Sequence, residues 1–309
     1  MFNLLFNHSP LLYLTQSLWR DEAYSVLLSQ HSLIEIIKLT ARDFNPPLYY
    51  LILHFWMNLF GSSEIAIRLL SFIFHLLLVY VSYKFIKKVF KSSSSNFQLL
   101  TSSFVFLNPM LLYYGFEARM YSLLALLATA SMYCFHTKKW RSYIFFSALG
   151  LYTQPFMVFV ILSQIVYWLI SKKSKDDARS FFVSLFFSFL LFTPWIPTLI
   201  SQFRHSSSSW IWPINWTTVT SILGNLFIGY EGTPGNLWGP MSIVSLTIIL
   251  LAFRLLRQNN SRFIRLLLCW LFLPIILVLT ISIFKPIYVN RYLIFVSVAE
   301  VFLIITAIS

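Results

Sequence analysis

Residues 66–83 read AIRLLSFIFHLLLVYVSY, an 18-residue stretch in which Arg68 is the one charged side chain. Because an α-helix rises about 1.5 Å per residue, about 20 apolar residues are needed to cross the hydrocarbon core of a bilayer. Lysines at positions 84, 87, 88 and 91 follow the stretch directly. Basic residues flank membrane helices mainly on the cytoplasmic side. The stretch therefore predicts a transmembrane helix whose C-terminal end faces the cytoplasm.

The rest of the chain repeats this pattern. Its 309 residues are 58% hydrophobic, 19% aromatic and 11% charged, whereas a water-soluble domain carries about 25% charged residues. Apolar runs of about 15–22 residues recur, and the short alternating segments of a membrane β-barrel are absent. Neither a cleavable signal peptide nor a metal or disulfide pattern around Cys134 and Cys269 is found. The sequence predicts an all-α polytopic membrane protein.

The basic residues predict the topology. Fifteen of the 23 Lys and Arg residues form four clusters between apolar segments: 84–91, 138–141, 172–179 and 254–265. With every cluster in the cytoplasm, nine spans alternate in direction, near 66–83, 98–113, 119–135, 142–154, 155–171, 181–200, 240–254, 266–284 and 292–308. The piece 46–60 is too short to cross comfortably, so we expect a helix at the outer interface. A short first span before Trp19 brings the prediction to about ten crossings.

The stretch 17–25, SLWRDEAYS, sets two carboxylates side by side in a chain that has only 10 acidic residues. The predicted topology places seven of the ten on the outer side: Asp21, Glu22, Glu35, Asp43, Glu64, Glu117 and Glu231. Asp176 and Asp177 fall inside, and Glu300 falls within the last span. Taken alone, the pattern RDE at 20–22 is most simply explained as the solvated cap of a helix. Its companion motifs favour catalysis instead.

Five outer segments carry a resemblance to a known family. They are WRDEAYS (19–25), DFNPPLYYLILHFW (43–56), FGSSEIAIRLLS (60–71), NPMLLYYGFEARMYS (108–122) and KPIYVNRYLIF (285–295). In this order they resemble the integral-membrane glycosyltransferases of the dolichyl-phosphate-mannose protein mannosyltransferase type, which are family 39-like. The resemblance covers about residues 17–300 and implies the multi-span fold called GT-C.

The resemblance also implies a domain plan. We expect a single transmembrane domain over 1–309, with a first outer loop and interfacial helices at about 19–64. A Trp-rich outer loop is expected at about 201–239. The chain is expected to be shorter than its relatives at both ends.

The implied reaction moves a sugar, in a mannosyltransferase-like manner, from a polyprenyl-phosphate carrier to a hydroxyl of a protein, lipid or glycan at the extracytoplasmic face. It needs a base, a cation for the leaving phosphate and an apolar groove for the lipid. Asp21 and Glu22 are the implied catalytic residues. Asp21 is the general base, and Glu22 is better suited to holding an arginine or the loop, since adjacent helical residues project about 100° apart.

The donor phosphate is expected to contact arginine. Arg291 is the first choice because a guanidinium can grip phosphate oxygens with two hydrogen bonds. Arg119 either contacts the phosphate or pairs with Glu117 or Asp21. Tyr292, Glu117 and Asp43 complete the predicted donor site.

Asp43 precedes a Pro-Pro turn, where proline restricts the backbone. Some relatives use an acidic residue here as a metal ligand, so a divalent metal ion is the one cofactor considered. An interfacial helix cap fits equally well, because Asn45 stands where relatives often carry His or Lys. A second departure is Gln154, where many relatives have His. Tryptophans 210, 212 and 216 are interpreted as an aromatic belt or as sugar-stacking rings.

Two other functions remain open at this level. A transporter or flippase for lipid-linked sugars would place charged groups near the bilayer midplane and show internal repeats. An inactive membrane scaffold is the second alternative. The net charge of +13 belongs to the cytoplasmic turns, so nucleic acid is not an expected partner. The expected partners are a lipid-linked sugar, a hydroxyl acceptor and the bilayer.

Overall fold

The computed structural model describes residues 12–90, 95–171, 175–205, 211–230, 233–258 and 261–308, whose regular structure is entirely helical. The first half contains α1 Leu12–Thr15, α2 Arg20–Ser29, α3 Leu33–Arg42, α4 Leu48–Phe60, α5 Glu64–Val89, α6 Ser95–Leu107, α7 Pro109–Gly115 and α8 Tyr121–His136. The second half contains α9 Trp140–Thr153, α10 Met157–Ile170, α11 Lys175–Phe192, α12 Ile196–His205, α13 Trp216–Ile228, α14 Trp238–Gln258, α15 Arg262–Phe284 and α16 Ile294–Ile308. Lys91, Lys172, Lys173, Trp210 and Glu231 lie outside the described residues.

The helices confirm a multi-pass integral membrane protein. Five segments are long and apolar enough to cross a bilayer: Glu64–Val89, Asp176–Arg204, Gly235–Gln258, Arg262–Phe284 and Asn290–Ala307. Five apolar helices are shorter: Leu48–Phe60, Asn96–Leu107, Tyr121–His136, Met157–Ile170 and Trp216–Ile228. The total of ten crossings stays a prediction, and the span proposed before Trp19 falls largely outside the described residues.

Helices α8 and α16 form the centre of the bundle. Residues 121–132 of α8 and residues 293–303 at the start of α16 are buried without a break. α8 packs against α5, α9, α10 and α16. Such burial explains why both helices are apolar on all sides instead of amphipathic. Because the two helices are packed on all sides, they hold in place the turns that precede them, which carry Arg119 and Arg291.

The first outer segment consists of the short helices α2, α3 and α4. At the start of α3 the Ser32 hydroxyl and backbone N–H both donate to Glu35 Oε2, at 2.8 and 3.1 Å, and the two residues form a capping box. α4 has 13 residues and is therefore about 20 Å long, less than the hydrocarbon thickness of about 30 Å. Its length agrees with the interfacial placement predicted for 46–60.

The break between α6 and α7 divides the span predicted at 98–113. Asn108 Oδ1 accepts a hydrogen bond from the Leu111 N–H at 3.0 Å, and its Nδ2 donates to the Phe227 carbonyl at 2.7 Å. Pro109, which has no N–H, occupies the first turn of α7, where none is needed. The new helix ends at Gly115 and leads into the turn that carries Glu117 and Arg119.

The segment 201–239 differs from the predicted Trp-rich loop, because it contains the end of α12 and the whole of α13. Asn215 caps α13 by accepting a hydrogen bond from the Thr218 N–H at 2.8 Å. α13 packs closely on α14: the Gly224 N–H donates to Ser245 Oγ at 2.8 Å, and a Cβ on Gly224 would clash with the Met241 carbonyl. Small and polar residues on the packed face hide the apolar period that normally indicates a helix.

Candidate active site

Helix α2 directs its two adjacent carboxylates into different surroundings. Trp19 precedes the helix in an extended conformation, and its N–H donates to the Glu22 carboxylate at 3.4 Å. The side chain of Glu22 is 2% exposed, whereas that of Asp21 is 27% exposed. The two groups therefore have separate roles.

Glu22 forms a buried ion pair with Arg68. Arg68 Nε and Nη2 donate to the two carboxylate oxygens at 2.8 and 2.5 Å, and the Ala118 N–H donates at 2.9 Å. Arg68 Nη1 also donates to the Gln16 carbonyl at 2.7 Å. This two-bonded contact joins α2, α5 and the turn before α8. The contact is of the kind expected from the sequence, in which Glu22 holds an arginine.

Asp21 lies between two other arginines. Its Oδ2 is 3.5 Å from Arg291 Nη2 and 3.8 Å from Arg119 Nη2. Both distances are longer than the 2.7–2.9 Å that is usual for a charge-assisted hydrogen bond. The carboxylate is thus attracted by two cations while its exposed side remains accessible to another group.

Arg119 is 6% exposed and is fixed by α2 and α4. Its Nη1 donates to Ser25 Oγ at 3.2 Å, to the Asp21 carbonyl at 3.3 Å and to the Tyr50 hydroxyl at 3.4 Å. The structure brings Asp21, one of the partners predicted for Arg119, to within 3.8 Å of its Nη2. Glu117 is also buried, and its carbonyl accepts a hydrogen bond from the Arg119 N–H at 2.7 Å.

Arg291 lies in the 3-10 turn Asn290–Leu293 before α16 and is 4% exposed. Its guanidinium carbon is 5.7 Å from the ring centroid of Tyr121 and 6.0 Å from those of Trp19 and Tyr292. Aromatic faces at this distance attract a cation. The predicted residues Asp21, Arg119, Arg291 and Tyr292 therefore meet in one cluster.

Asp43 ends α3 close to this cluster. Burial, together with the charge of Asp43 and a hydrogen bond to it, raises the pKa of Tyr24 to about 12. The Tyr24 hydroxyl, which is protonated at neutral pH, donates to the Asp43 carboxylate. Asn45 Nδ2 donates to the same carboxylate at 3.4 Å, and Gln202 Nε2 donates to the Asp43 carbonyl.

This environment does not fit a divalent metal ion. The Asp43 carboxylate accepts hydrogen bonds from Tyr24 and Asn45, and the described residues contain no group of three His, Cys, Asp or Glu side chains that could hold a metal. Metal sites of this kind need several oxygen or nitrogen ligands around one point. The helix-cap interpretation of Asp43 fits the structure better, and no catalytic step is assigned to a metal.

A cavity of about 180 Å³ adjoins the cluster and is named the amide cavity here. Its lining residues are Phe44, Asn45, Gln154, Pro155, Phe156, Leu199, Gln202, Phe203, Ile211, Lys285, Pro286, Ile287 and Tyr292. Tyr292 joins it to the arginines, since this side chain is within electrostatic range of Asp21 and Arg291. The two departures noted in the sequence, Asn45 and Gln154, both line it.

A larger groove of about 510 Å³ runs between α3, α4, α9 and the turn before α12. Its lining is mainly apolar: Ile37, Lys38, Ala41, Pro47, Leu48, Leu51, Leu149, Tyr152, Pro194, Trp195 and Thr198. We name it the apolar groove.

Several residues of the site were not predicted from the sequence. Tyr24 lies three residues after Asp21, and this helical spacing could have indicated a shared face. Arg68 was noted only as the one charged residue of its span, although an arginine near a membrane helix usually has a partner. Gln202 carries no local signal, because its partners in α3 are about 160 residues away in the chain.

A sequence profile described as dolichyl-phosphate-mannose-protein mannosyltransferase matches residues 45–200, which is half of the chain. No curated protein is similar enough in sequence to count as a match. Two crystal structures of ArnT from Cupriavidus metallidurans have the same fold. The apo structure gives a TM-score of 0.68 at 14% identity, over 99% of this chain and 59% of that chain.

The structure of ArnT bound to undecaprenyl phosphate gives a TM-score of 0.67 at 14% identity, over 99% of this chain and 60% of that chain. The chain thus spans about three fifths of the length of ArnT, and the GT-C fold expected from the sequence is confirmed. The matched range 45–200 includes Arg68, Glu117 and Arg119 but not Asp21 or Arg291.

Proposed function

The chain belongs to the dolichyl-phosphate-mannose-protein mannosyltransferase family, and on that premise we propose that it moves a sugar from a polyprenyl-phosphate carrier to a hydroxyl acceptor at the extracytoplasmic face. The observation that carries the proposal is the partly exposed carboxylate of Asp21 between Arg119 and Arg291. A base and two cations around one accessible point are what this substitution requires.

In the proposed reaction the acceptor oxygen attacks the anomeric carbon of the donor sugar. The proton of the acceptor hydroxyl moves to a carboxylate oxygen of Asp21, and the bond between the anomeric carbon and the phosphate oxygen breaks. The electron pair leaves with the polyprenyl phosphate. General-base assistance of this kind contributes typically about 10²–10⁴-fold to a rate.

In the proposed reaction the arginines stabilise the negative charge of the leaving phosphate. Arg291 and Arg119 are buried and held by aromatic rings and hydrogen bonds, so they need little reorganisation when charge develops on the leaving phosphate. Each also approaches Asp21, so a phosphate bound by Arg291 would lie close to the base. We assign the phosphate first to Arg291, with Arg119 orienting Asp21.

The apolar groove is the proposed position of the lipid chain. One of the ArnT structures contains undecaprenyl phosphate, and a similar carrier would need an apolar channel beside the phosphate. The groove is lined mainly by carbon atoms and includes Pro47, four residues after Asp43. An extended polyprenyl chain could pass from it into the bilayer.

The charge distribution supports an extracytoplasmic site. Arg119 precedes α8, whereas Lys138 and Lys139 follow it, and the 16 residues of α8 separate them by about 24 Å. Lys138 pairs with Asp177 at 2.7 Å in the basic region expected in the cytoplasm. The Asp21 cluster lies at the opposite end of α8.

The decisive experiment compares Asp21→Asn with Asp177→Asn in purified protein supplied with polyprenyl-phosphate sugars. The two aspartates are matched, because both pair with cations and their side chains are 27% and 26% exposed. We expect Asp21→Asn to lower sugar transfer about 10²–10⁴-fold and Asp177→Asn to leave it within about twofold. Undiminished transfer by Asp21→Asn would remove Asp21 from the mechanism. Movement of the lipid-linked sugar across the bilayer without transfer would favour a flippase.

A further inference from the structure

The amide cavity has an unusual charge composition for a site beside a carboxylate cluster. Lys285 is the one charged residue among its described lining residues, and none of them is acidic. Asp43, two residues before Asn45, accepts hydrogen bonds from Tyr24 and Asn45 but does not line the cavity. A cation that entered the cavity would therefore meet a lysine and no available carboxylate.

The polar groups of the cavity are carboxamides with fixed orientations. Gln154 is 2% exposed, and its Oε1 accepts a hydrogen bond from the Phe156 N–H at 2.7 Å. Because a backbone N–H can only donate, this contact assigns the oxygen and leaves the NH₂ group of Gln154 for another partner. No partner for that NH₂ occurs among the described residues.

The orientation of the Gln202 amide follows from the carbonyl groups that it contacts. Its Nε2 donates to the carbonyls of Thr40 at 3.0 Å and Ala41 at 3.3 Å, and also to that of Asp43. Since carbonyls can only accept, the NH₂ group must face α3. Gln202 thus ties α12 to the end of α3 and holds this wall of the cavity in place.

Aromatic side chains supply much of the remaining surface. Phe44, Phe156, Phe203 and Tyr292 all line the cavity, and the rings of Phe156 and Tyr292 pack edge to face with centroids 5.1 Å apart. Ligand sites commonly combine such apolar walls with a few oriented polar groups. Amide donors and ring faces together suit a hydroxylated ring, and the expected preference for an uncharged one follows from Lys285 and from the lack of acidic residues among the described lining residues.

We propose that the amide cavity binds the sugar ring of the donor and selects an uncharged sugar over one that carries an ammonium group. This inference rests on the proposed function, because the sugar must lie next to the phosphate at Arg291, and Tyr292 connects the two. An ammonium sugar would lose its hydration without gaining an opposite charge. Lys285 would repel it as well.

The test measures kcat/KM for undecaprenyl-phosphate hexoses, each paired with its amino-deoxy counterpart. Mannose, glucose and galactose donors form the panel, because the neutral sugar itself is not fixed by the cavity. At pH 7 we expect kcat/KM for the best-used neutral donor of the panel to exceed that for its amino-deoxy counterpart at least about 10-fold. Loss of one buried polar interaction with a substrate typically has an effect of this size. Equal use of the pair overturns the proposal.

Gln154→Glu tests the cause, since it introduces a carboxylate at almost unchanged size. We expect it to lower the preference for the neutral sugar at least about 10-fold. Gln154→Ala removes the donor without adding charge and should reduce the use of both sugars alike. Gln30→Glu, which adds the same charge at an exposed site after α2, should leave the preference unchanged.

Lys285→Glu provides a second variant if Gln154→Glu fails to fold, and it should shift the preference in the same direction. A preference that neither variant moves contradicts the proposal. The same pairs are also bound to the Asp21→Asn protein and followed by tryptophan fluorescence. Selective binding of the neutral member by Asp21→Asn, together with no transfer by the unsubstituted protein, would overturn the proposed function alone, and binding without selectivity would overturn this inference.

Discussion

At the scale of single residues, the two adjacent carboxylates illustrate how surroundings divide chemical roles. Asp21 is partly exposed between Arg119 and Arg291, whereas Glu22 is enclosed by Arg68 and the Ala118 N–H. A buried ion pair adds little stability relative to apolar residues of the same shape. Removal of one partner is costly, because it leaves a buried charge unpaired.

We predict that Glu22→Gln and Arg68→Met each lower the free energy of unfolding by about 3–5 kcal/mol. The double variant should lose less than the sum of the two, because it leaves no isolated charge. Unfolding in detergent with increasing denaturant measures all three. The control is Asp177→Asn, which breaks an exposed pair and should cost about 0–1 kcal/mol. Strictly additive losses would show that Glu22 and Arg68 do not act as a pair.

The sequence predicted the members of this cluster but not their arrangement. Asp21, Arg119 and Arg291 were found from short motifs. Charged residues are rare in this apolar chain, so the few that lie outside the basic clusters are easy to notice. The Glu22–Arg68 pair spans 46 residues and the Gln202–Asp43 contact spans 159. Contacts at such separations depend on how the helices pack, which local patterns do not encode.

At the scale of elements, the contact between α13 and α14 depends on the absence of a side chain. A Cβ on Gly224 would overlap the Met241 carbonyl, and the Gly224 N–H reaches Ser245 Oγ at 2.8 Å. Small residues allow membrane helices to approach closely without a hydrophobic driving force. The same small residues concealed α13 in the sequence, where Trp, Gly and Pro residues on either side favoured a loop.

We predict that Gly224→Ala separates α13 from α14 and lowers the free energy of unfolding by about 1–3 kcal/mol, as overpacking of a tight contact does. The midpoint of thermal unfolding in detergent is the measurement. Gly239→Ala is the matched control, because a Cβ there meets nothing within 4 Å. Equal effects of the two substitutions would contradict a specific close contact.

At the scale of the whole molecule, composition alone predicted the membrane-spanning helical class, because 58% hydrophobic residues cannot be covered in a soluble domain of this size. The positions of long apolar helices such as α5 and α15 followed from the same signal. The number of membrane crossings could not be predicted from this apolar signal, because helices such as α4 and α13 have 13 residues each. Helices of that length fit both an interfacial position and a partial crossing.

The topology predicts opposite accessibility for the two ends of α8. In a background without Cys134 and Cys269, a cysteine at Gln30 should react with a membrane-impermeant thiol reagent in intact cells. A cysteine at Lys139 should react only after permeabilisation. Both native side chains are exposed in the structure, so protection reports the membrane side and not burial. The reverse pattern would place Asp21 in the cytoplasm and exclude the proposed reaction at the outer face.

The large sequence separation between Glu22 and its hydrogen-bond partners has a consequence for biosynthesis. Its carboxylate is completed by groups 46 and 96 residues further along the chain, so the start of α2 cannot take its final position until the segment before α8 has been made and inserted. The nascent protein would then pass through the translocon before Asp21, the proposed base, has its final position beside Arg119 and Arg291. Activity would be withheld from incomplete chains by geometry, with no separate inhibitor.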